Sequence, residues 1–263
     1  MNLSSVAPVR AAAIKIDKDR RVFKAEMLVN NAGVMALPDL QLFKASIEMI
    51  FATNQVGHFL LKNRILPKII KAISTSAPTD TKSRRFISQT SAQQDSRGTS
   101  RRRTSDLQKA SFSKGQDWSD KSYVGFLSYG QSKTANILYS LSLTQTLEAK
   151  YGIGSYAIHP GAVTKNINRH AKSEEIKKAL KRVKKLGFET PAKTLDQGVD
   201  PSVLSAVGPE LPSPGLSSLE SKGLYIAGCK LDDEHCTGFD RNLEYADKLW
   251  ALSEELVKEK FDI

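Results

Sequence analysis

At 263 residues, with 40% hydrophobic residues and a formal net charge of +11, the chain has the composition of a globular protein with one sizeable core. No stretch approaches the roughly 18 consecutive apolar residues of a membrane-spanning helix, and Met1-Asn2-Leu3-Ser4-Ser5 does not read as a secretory signal. Two cysteines, Cys229 and Cys236, fit a reducing compartment and match no metal-ligand spacing, which points to a cytoplasmic protein without a metal centre.

In chain order, Val6–Ile16 reads as a helix, and Met27–Val29 as a short buried strand stopped by Asn30-Asn31-Ala32-Gly33. Leu42–Thr53 looks helical, and Asn54–Ile73 reads as a longer helix with an apolar stripe, with Pro67 as its candidate kink. Arg85–Thr90 is a strand candidate. Gln93–Lys121, rich in Ser, Arg, Lys and Gln, reads as a surface insertion. Leu127–Lys150 is a second long helix, Ser155–Ile158 a strand closed by His159-Pro160-Gly161, and Ser173–Lys185 a basic amphipathic helix. Asp196–Val207 reads as a helix, Gly223–Ala227 as a strand and Leu243–Lys258 as a closing helix. Strands separated by helices imply a single α/β domain, 1–263, built on a doubly wound parallel sheet of Rossmann type. The charge is concentrated. Asp80–Lys121 holds ten Lys/Arg against five Asp/Glu, and Lys165–Lys185 nine against two. Solvated faces are the favoured reading over a polyanion or membrane-surface site, and no nucleic-acid partner is expected.

The sharpest chemical signal is Tyr129-Gly130-Gln131-Ser132-Lys133 within a helix. Spacing of four residues sets Tyr129 and Lys133 one turn apart on one face, where an ammonium can favour the phenolate of a phenol whose reference pKa is about 10. Tyr123 and Tyr139 compete for the proton-transfer role, but neither has a lysine four residues on. Thr90-Ser91 ends a strand, where a hydroxyl can hold a carbonyl oxygen; Ser88 is the alternative. Asn54 opens a helix, and His58 and His159 read as packing residues.

Asn30-Asn31-Ala32-Gly33, Asn54-Gln55-Val56-Gly57-His58-Phe59, Thr90-Ser91, Tyr129-x-x-x-Lys133 and His159-Pro160-Gly161 together resemble the short-chain dehydrogenase/reductase family. The Gly57–Leu61 run and the tail Leu249–Leu256 are closest to its retinol dehydrogenase and WW-domain-containing oxidoreductase branch. The resemblance implies an NAD(P)-dependent oxidoreductase that interconverts an alcohol and a carbonyl, with a small apolar alcohol, ketone or aldehyde as substrate. It implies a catalytic tetrad. Tyr129 would be the general acid/base, Lys133 the residue that lowers its pKa and holds the nicotinamide ribose, Ser91 the group that orients the carbonyl, and Asn54 a member of a water-linked relay. Asn30, Ala32 and Gly33 would lie beside the adenosine half of the cofactor, and Pro160 and Gly161 near the nicotinamide. NADP is taken ahead of NAD, and a homodimer is the family's habit.

The family opens with a strand and a Thr-Gly-x-x-x-Gly-x-Gly turn whose amides approach the pyrophosphate, and no such segment stands in this sequence. Met1–Ser5 resembles the end of the family's third strand, with Asn2 where an acidic residue usually meets the adenine. By that register the chain is N-terminally truncated, and Met27–Val29 is expected to be an exposed sheet edge. Lys165, with Thr164 beside it, stands where the family often has a cofactor-touching Thr. The alternative reading is an inactive relative acting as an interaction or polyanion-binding protein.

Overall fold

A computed structural model describes residues 1–43, 47–75, 85–90, 123–163, 174, 176, 177, 181, 192–208, 211, 225–233, 236, 239 and 241–262, with residues 85–90 and 149 as backbone only. The insertion expected at 93–121, Ser91, Lys165 and most of the basic helix expected at 173–185 lie outside these residues.

Helix α1 spans Val6–Lys18. A continuous helical rod follows in three parts: α2 (Met49–Phe51), a π-helical turn (Ala52–Val56) and α3 (Gly57–Ser74). Strand β1 (Arg85–Thr90) has the bounds expected from sequence, and α4 (Gly125–Tyr151) ends at Gly152 in the left-handed conformation. Then come β2 (Gly154–His159), β3 (Ala162–Val163), β4 (Ala192–Lys193), α5 (Leu195–Val207), β5 (Tyr225–Ala227), β6 (Lys230–Leu231) and α6 (Leu243–Val257).

The main sheet has the order β1-β2-β5-β6. β1, β2 and β5 are parallel, while β6 turns back antiparallel through Gly228 and Cys229, both at positive φ. β2 is the centre, and its residues from Gly154 to Ile158 are buried. Alternate side chains serve opposite faces. Ala157 joins a core with α1, α3, α4 and α6, whereas Tyr156 and Ile158 join Ile226 against Leu204 of α5. Helices therefore cover both faces of a largely parallel sheet, and the α/β, doubly wound expectation holds.

α4 is buried at every position from Ser132 to Thr144. A helix enclosed on all sides carries no amphipathic stripe, and Ser, Thr and Asn on it must find partners inside the protein. Thr144 does so by accepting from the Ser155 amide of β2 at 3.0 Å. Phe59 of α3, Tyr139 of α4 and Trp250 of α6 form an aromatic cluster, completed by Phe261, with Phe59–Trp250 centroids 5.1 Å apart. Arg10 of α1 and Arg64 of α3 both donate to the Glu259 carboxylate, at 3.1 and 2.8 Å, which fixes the chain beyond α6 onto the first core layer. None of the described helices is long and apolar enough to cross a membrane.

Two expectations are corrected. Met27–Val29 forms no strand. Among the described residues only Val29 of this run makes a bridge, and Met27 and Val29 are 37% and 45% exposed, so the run lacks the cover of a buried strand, while its exposure agrees with the edge expected of it. The helix expected from Leu42 begins only at Met49. Leu42 pairs antiparallel with Glu48, and the Phe43 amide donates to Ile47, so the chain folds back once before the Glu48 carboxylate caps the rod by accepting from the Phe51 amide at 2.8 Å. α3 runs through Pro67 as one element.

Gly57 is required by close approach, since a Cβ there would meet the Leu3 carbonyl oxygen at 2.2 Å. Lys62 is the odd residue of this core. Its side chain is fully buried, and among the described residues Nζ has no hydrogen-bond partner, only the Trp250 and Tyr139 rings at 5.3 and 5.6 Å. Burial pushes its pKa well down. Replacing an unpartnered buried amine with a thioether of like shape removes a desolvation cost of roughly 1–3 kcal/mol. Lys62→Met is therefore expected to raise the urea midpoint at pH 7 with an unchanged m-value. A lower midpoint would mean the amine is satisfied in solution.

Candidate active site

Asn54 lies in the π turn, where the Gly57 amide donates to the Ala52 carbonyl five residues back. Its side chain is fully buried and uses both ends. Nδ2 donates to the Val34 carbonyl at 3.0 Å and to Ser132 Oγ at 2.9 Å, and Oδ1 accepts from the Val34 amide at 2.9 Å. One amide thus joins the loop that follows Asn30-Asn31-Ala32-Gly33 to helix α4. Gly33 lies against the same group: a Cβ there would stand 3.1 Å from Asn54 Oδ1 and 3.8 Å from Lys133 Nζ.

Tyr129 and Lys133 share a face of α4, with Nζ 5.2 Å from the Tyr129 ring centroid. Between them Ser132 Oγ donates to the Tyr129 carbonyl at 2.8 Å while accepting from Asn54, which pins this turn of the helix. Lys133 is 4% exposed. Burial pushes the Tyr129 phenol well above its usual value. The ammonium stands by the ring, where it acts on the π-face. The phenol is accordingly protonated at neutral pH.

The competing tyrosines are otherwise engaged. Tyr139 is enclosed in the core at 1% exposure. Tyr123 donates to the buried Glu48 carboxylate at 2.8 Å, and desolvation raises the pKa of both groups. That bond ties the cap of α2 to the segment entering α4, a link no sequence pattern announces. Tyr129 remains partly exposed.

Of the expected site residues, the structure gathers Gly33, Asn54, Tyr129 and Lys133 into one cluster. Asn30 and Ala32 lie on the adjoining loop, and Asn30 is buried with its Nδ2 unpartnered among the described residues. Pro160 and Gly161 follow β2 at its carboxyl end, beside the carboxyl end of β1, where Thr90 pairs with Ile158. Gly161 has φ 85°, its amide donates to His159 Nδ1 at 2.9 Å, and the Lys193 side chain lies over it. Ser132 and His58 were missed as site residues. Each sits three or four residues from an expected one, a spacing that could have found them.

A nicotinamide cofactor can be tested against these groups. The Lys133 ammonium beside a glycine cradle suits the acceptor oxygens of the nicotinamide ribose, and the Asn30 donor, without a partner among the described residues, is available to the adenosine half expected beside it. The residues present fit the nicotinamide-ribose end. Beyond the carboxyl ends of parallel strands is also where such sheets bind ligands.

Comparison with known proteins gives a consistent picture. Short-chain dehydrogenase TIC 32 A, a chloroplastic protein of Brassica napus, is 31% identical over 233 residues, covering 88% of this chain and 63% of its own. Retinol dehydrogenase 14 of Homo sapiens is 29% identical over 259 residues, covering 98% of this chain and 65% of its own. The chain thus spans just under two thirds of the length of these relatives. No protein-family model matches it. Among solved structures, an uncharacterized protein from Mycobacterium paratuberculosis aligns over 100% of this chain and 76% of its own, with TM-score 0.58 and 24% identity. A short-chain dehydrogenase from Mycobacterium paratuberculosis bound to NAD aligns over 79% and 66%, with TM-score 0.50 and 15% identity. These two likenesses concern the fold.

His58 generates a pH prediction. Burial first, and Lys133's charge in addition, lower its imidazole from 6.5 to about 4. Between those values the unfolded chain takes up a proton that the folded chain refuses. The stabilisation is complete above the unfolded value and is lost as pH falls toward the folded one, a total of roughly 3 kcal/mol. Urea unfolding from pH 7.5 to 4 should show wild type losing about that much more stability than His58→Gln. Parallel losses would mean that His58 is charged, or exposed, in the fold.

Proposed function

The chain belongs to the short-chain dehydrogenase/reductase family, near its retinol dehydrogenases, and on that premise we propose that it is a nicotinamide-dependent oxidoreductase interconverting an alcohol and a carbonyl. The observation that carries the reading is the Lys133 ammonium one helical turn from Tyr129 and beside the Gly33–Asn54 contact.

Tyr129 gives a proton to the substrate oxygen during reduction and takes one during oxidation. Lys133 holds the hydroxyls of the nicotinamide ribose, and Asn30 lies with Ala32 and Gly33 beside the adenosine half. Ser91 hydrogen-bonds the carbonyl oxygen, and Asn54 belongs to a water-linked relay behind Lys133. Ala32 and Gly33 let a cofactor approach the backbone closely, as do Pro160 and Gly161 at the other side. The cofactor, NADP(H) first and NAD(H) second, supplies or accepts the hydride when bound. The substrate is a small apolar aldehyde, ketone or alcohol, and the location cytoplasmic. A homodimer would use faces other than that of α4, which is already buried from Ser132 to Thr144.

Tyr129→Phe is expected to cut turnover by about 10²–10⁴-fold while nicotinamide binding, read by fluorescence, persists. Unchanged turnover would remove the phenol from the mechanism. Because the Tyr129 pKa is raised, reduction should be flat from pH 6 to 8, and oxidation should climb steadily above that range. An oxidation rate that levels off near pH 7 would mean that the phenol ionises readily and that burial does not govern it.

A further inference from the structure

We infer that His58 is a positioning residue of this site: its imidazole holds the main-chain carbonyl of Asn54, so that the Asn54 amide stays locked between Val34 and Ser132 and Lys133 keeps its place beside Tyr129. The inference rests on the oxidoreductase reading and extends it to a residue that sequence patterning assigns to packing.

His58 is 3% exposed, and Nδ1 stands 3.0 Å from the Asn54 carbonyl oxygen. A carbonyl only accepts, so Nδ1 carries the hydrogen and Nε2 keeps the lone pair. The need for such a bond comes from the π turn. Its amides pair five residues back, as Gly57 does with Ala52, so the main chain around Asn54 is displaced from ordinary helical register. A side chain four residues on, at the first turn of α3, then reaches the carbonyl and fixes the direction of that peptide. The direction matters because the Asn54 side chain makes three hydrogen bonds at 2.9–3.0 Å, two to the Val34 main chain and one to Ser132, the residue before Lys133. A rotation of the Asn54 peptide moves all of them together.

The test compares His58→Phe, which keeps a ring and removes the donor, with His58→Gln, which restores an N–H. In wild type, nitrogen-15 spectra at neutral pH should show Nδ1 protonated and Nε2 bare, and the Asn54 side-chain amide protected from solvent exchange. His58→Phe should lose that protection and lower kcat by roughly fivefold to tenfold, the scale of one lost hydrogen bond, with the substrate KM within about twofold. His58→Gln should recover most of both. An Nε2-protonated imidazole, or an Asn54 amide equally protected in His58→Phe, would overturn the assignment. So would an unchanged kcat in His58→Phe. Should His58→Phe not fold, His58→Asn, too short to span the gap, takes its place. A wild-type chain without turnover or nicotinamide binding would defeat the oxidoreductase reading, while the tautomer and amide exchange would still decide the role of His58.

Discussion

The carboxamide of Asn54 ties together three pieces of chain: the π turn, the loop at Val34 and helix α4. Its two ends bond the Val34 peptide on one side and Ser132 on the other, inside a core where neither group could turn to water. An unmade hydrogen bond at such depth costs about as much as a mutation that creates a small cavity, so the arrangement is close to all-or-none. With the amide in place, Gly33 presses against Oδ1, Ser132 is held against the Tyr129 carbonyl, and Lys133 points back at the same spot. The absence of a Cβ at Gly33 is then a demand of the amide as much as of any ligand.

Around that amide two electrical effects oppose each other. An ammonium one helical turn away favours ionisation of the phenol, and the apolar enclosure of the same turn disfavours it. Enclosure prevails at Tyr129, and at His58 it prevails over the Asn54 hydrogen bond with the positive neighbour adding to it. Lys133 is consequently the charged member of the cluster beside two neutral rings. A site with one fixed cation and neutral hydrogen-bonding partners attracts electron-rich oxygens, whether of a sugar or of a carbonyl group acquiring charge.

Legibility in the sequence followed the range of the forces involved. β1 was recoverable to the residue, and α4, α5 and α6 to within two residues at either end, because hydrophobic period and terminating glycines act locally. Tyr129 and Lys133 were visible for the same reason, since helical spacing alone brings them together. The π turn was not. Its extra residue is stabilised by Val34 and Ser132, partners 20 and 78 positions away, and nothing in Ala52–Val56 itself announces it. Leu42–Glu48 misled because its apolar spacing suits a helix, whereas the buried carboxylate of Glu48 settles the start of the rod through Phe51 and Tyr123. Met27–Val29 misled as a strand, although its half-exposure was the one expected of an uncovered edge.

The central position of β2 bears on how the chain assembles. It is the one described strand of the main sheet with parallel neighbours on both sides, and both of those neighbours come from afar: Arg85 pairs with Gly154, and Ala157 with Tyr225. Closing such distant partners costs chain entropy before any burial is gained, so the parallel pairing about β2 is a slow kind of contact to form. Once formed, the β2 amides are reachable by solvent deuterium only through wholesale opening, and they should be among the last in the molecule to exchange.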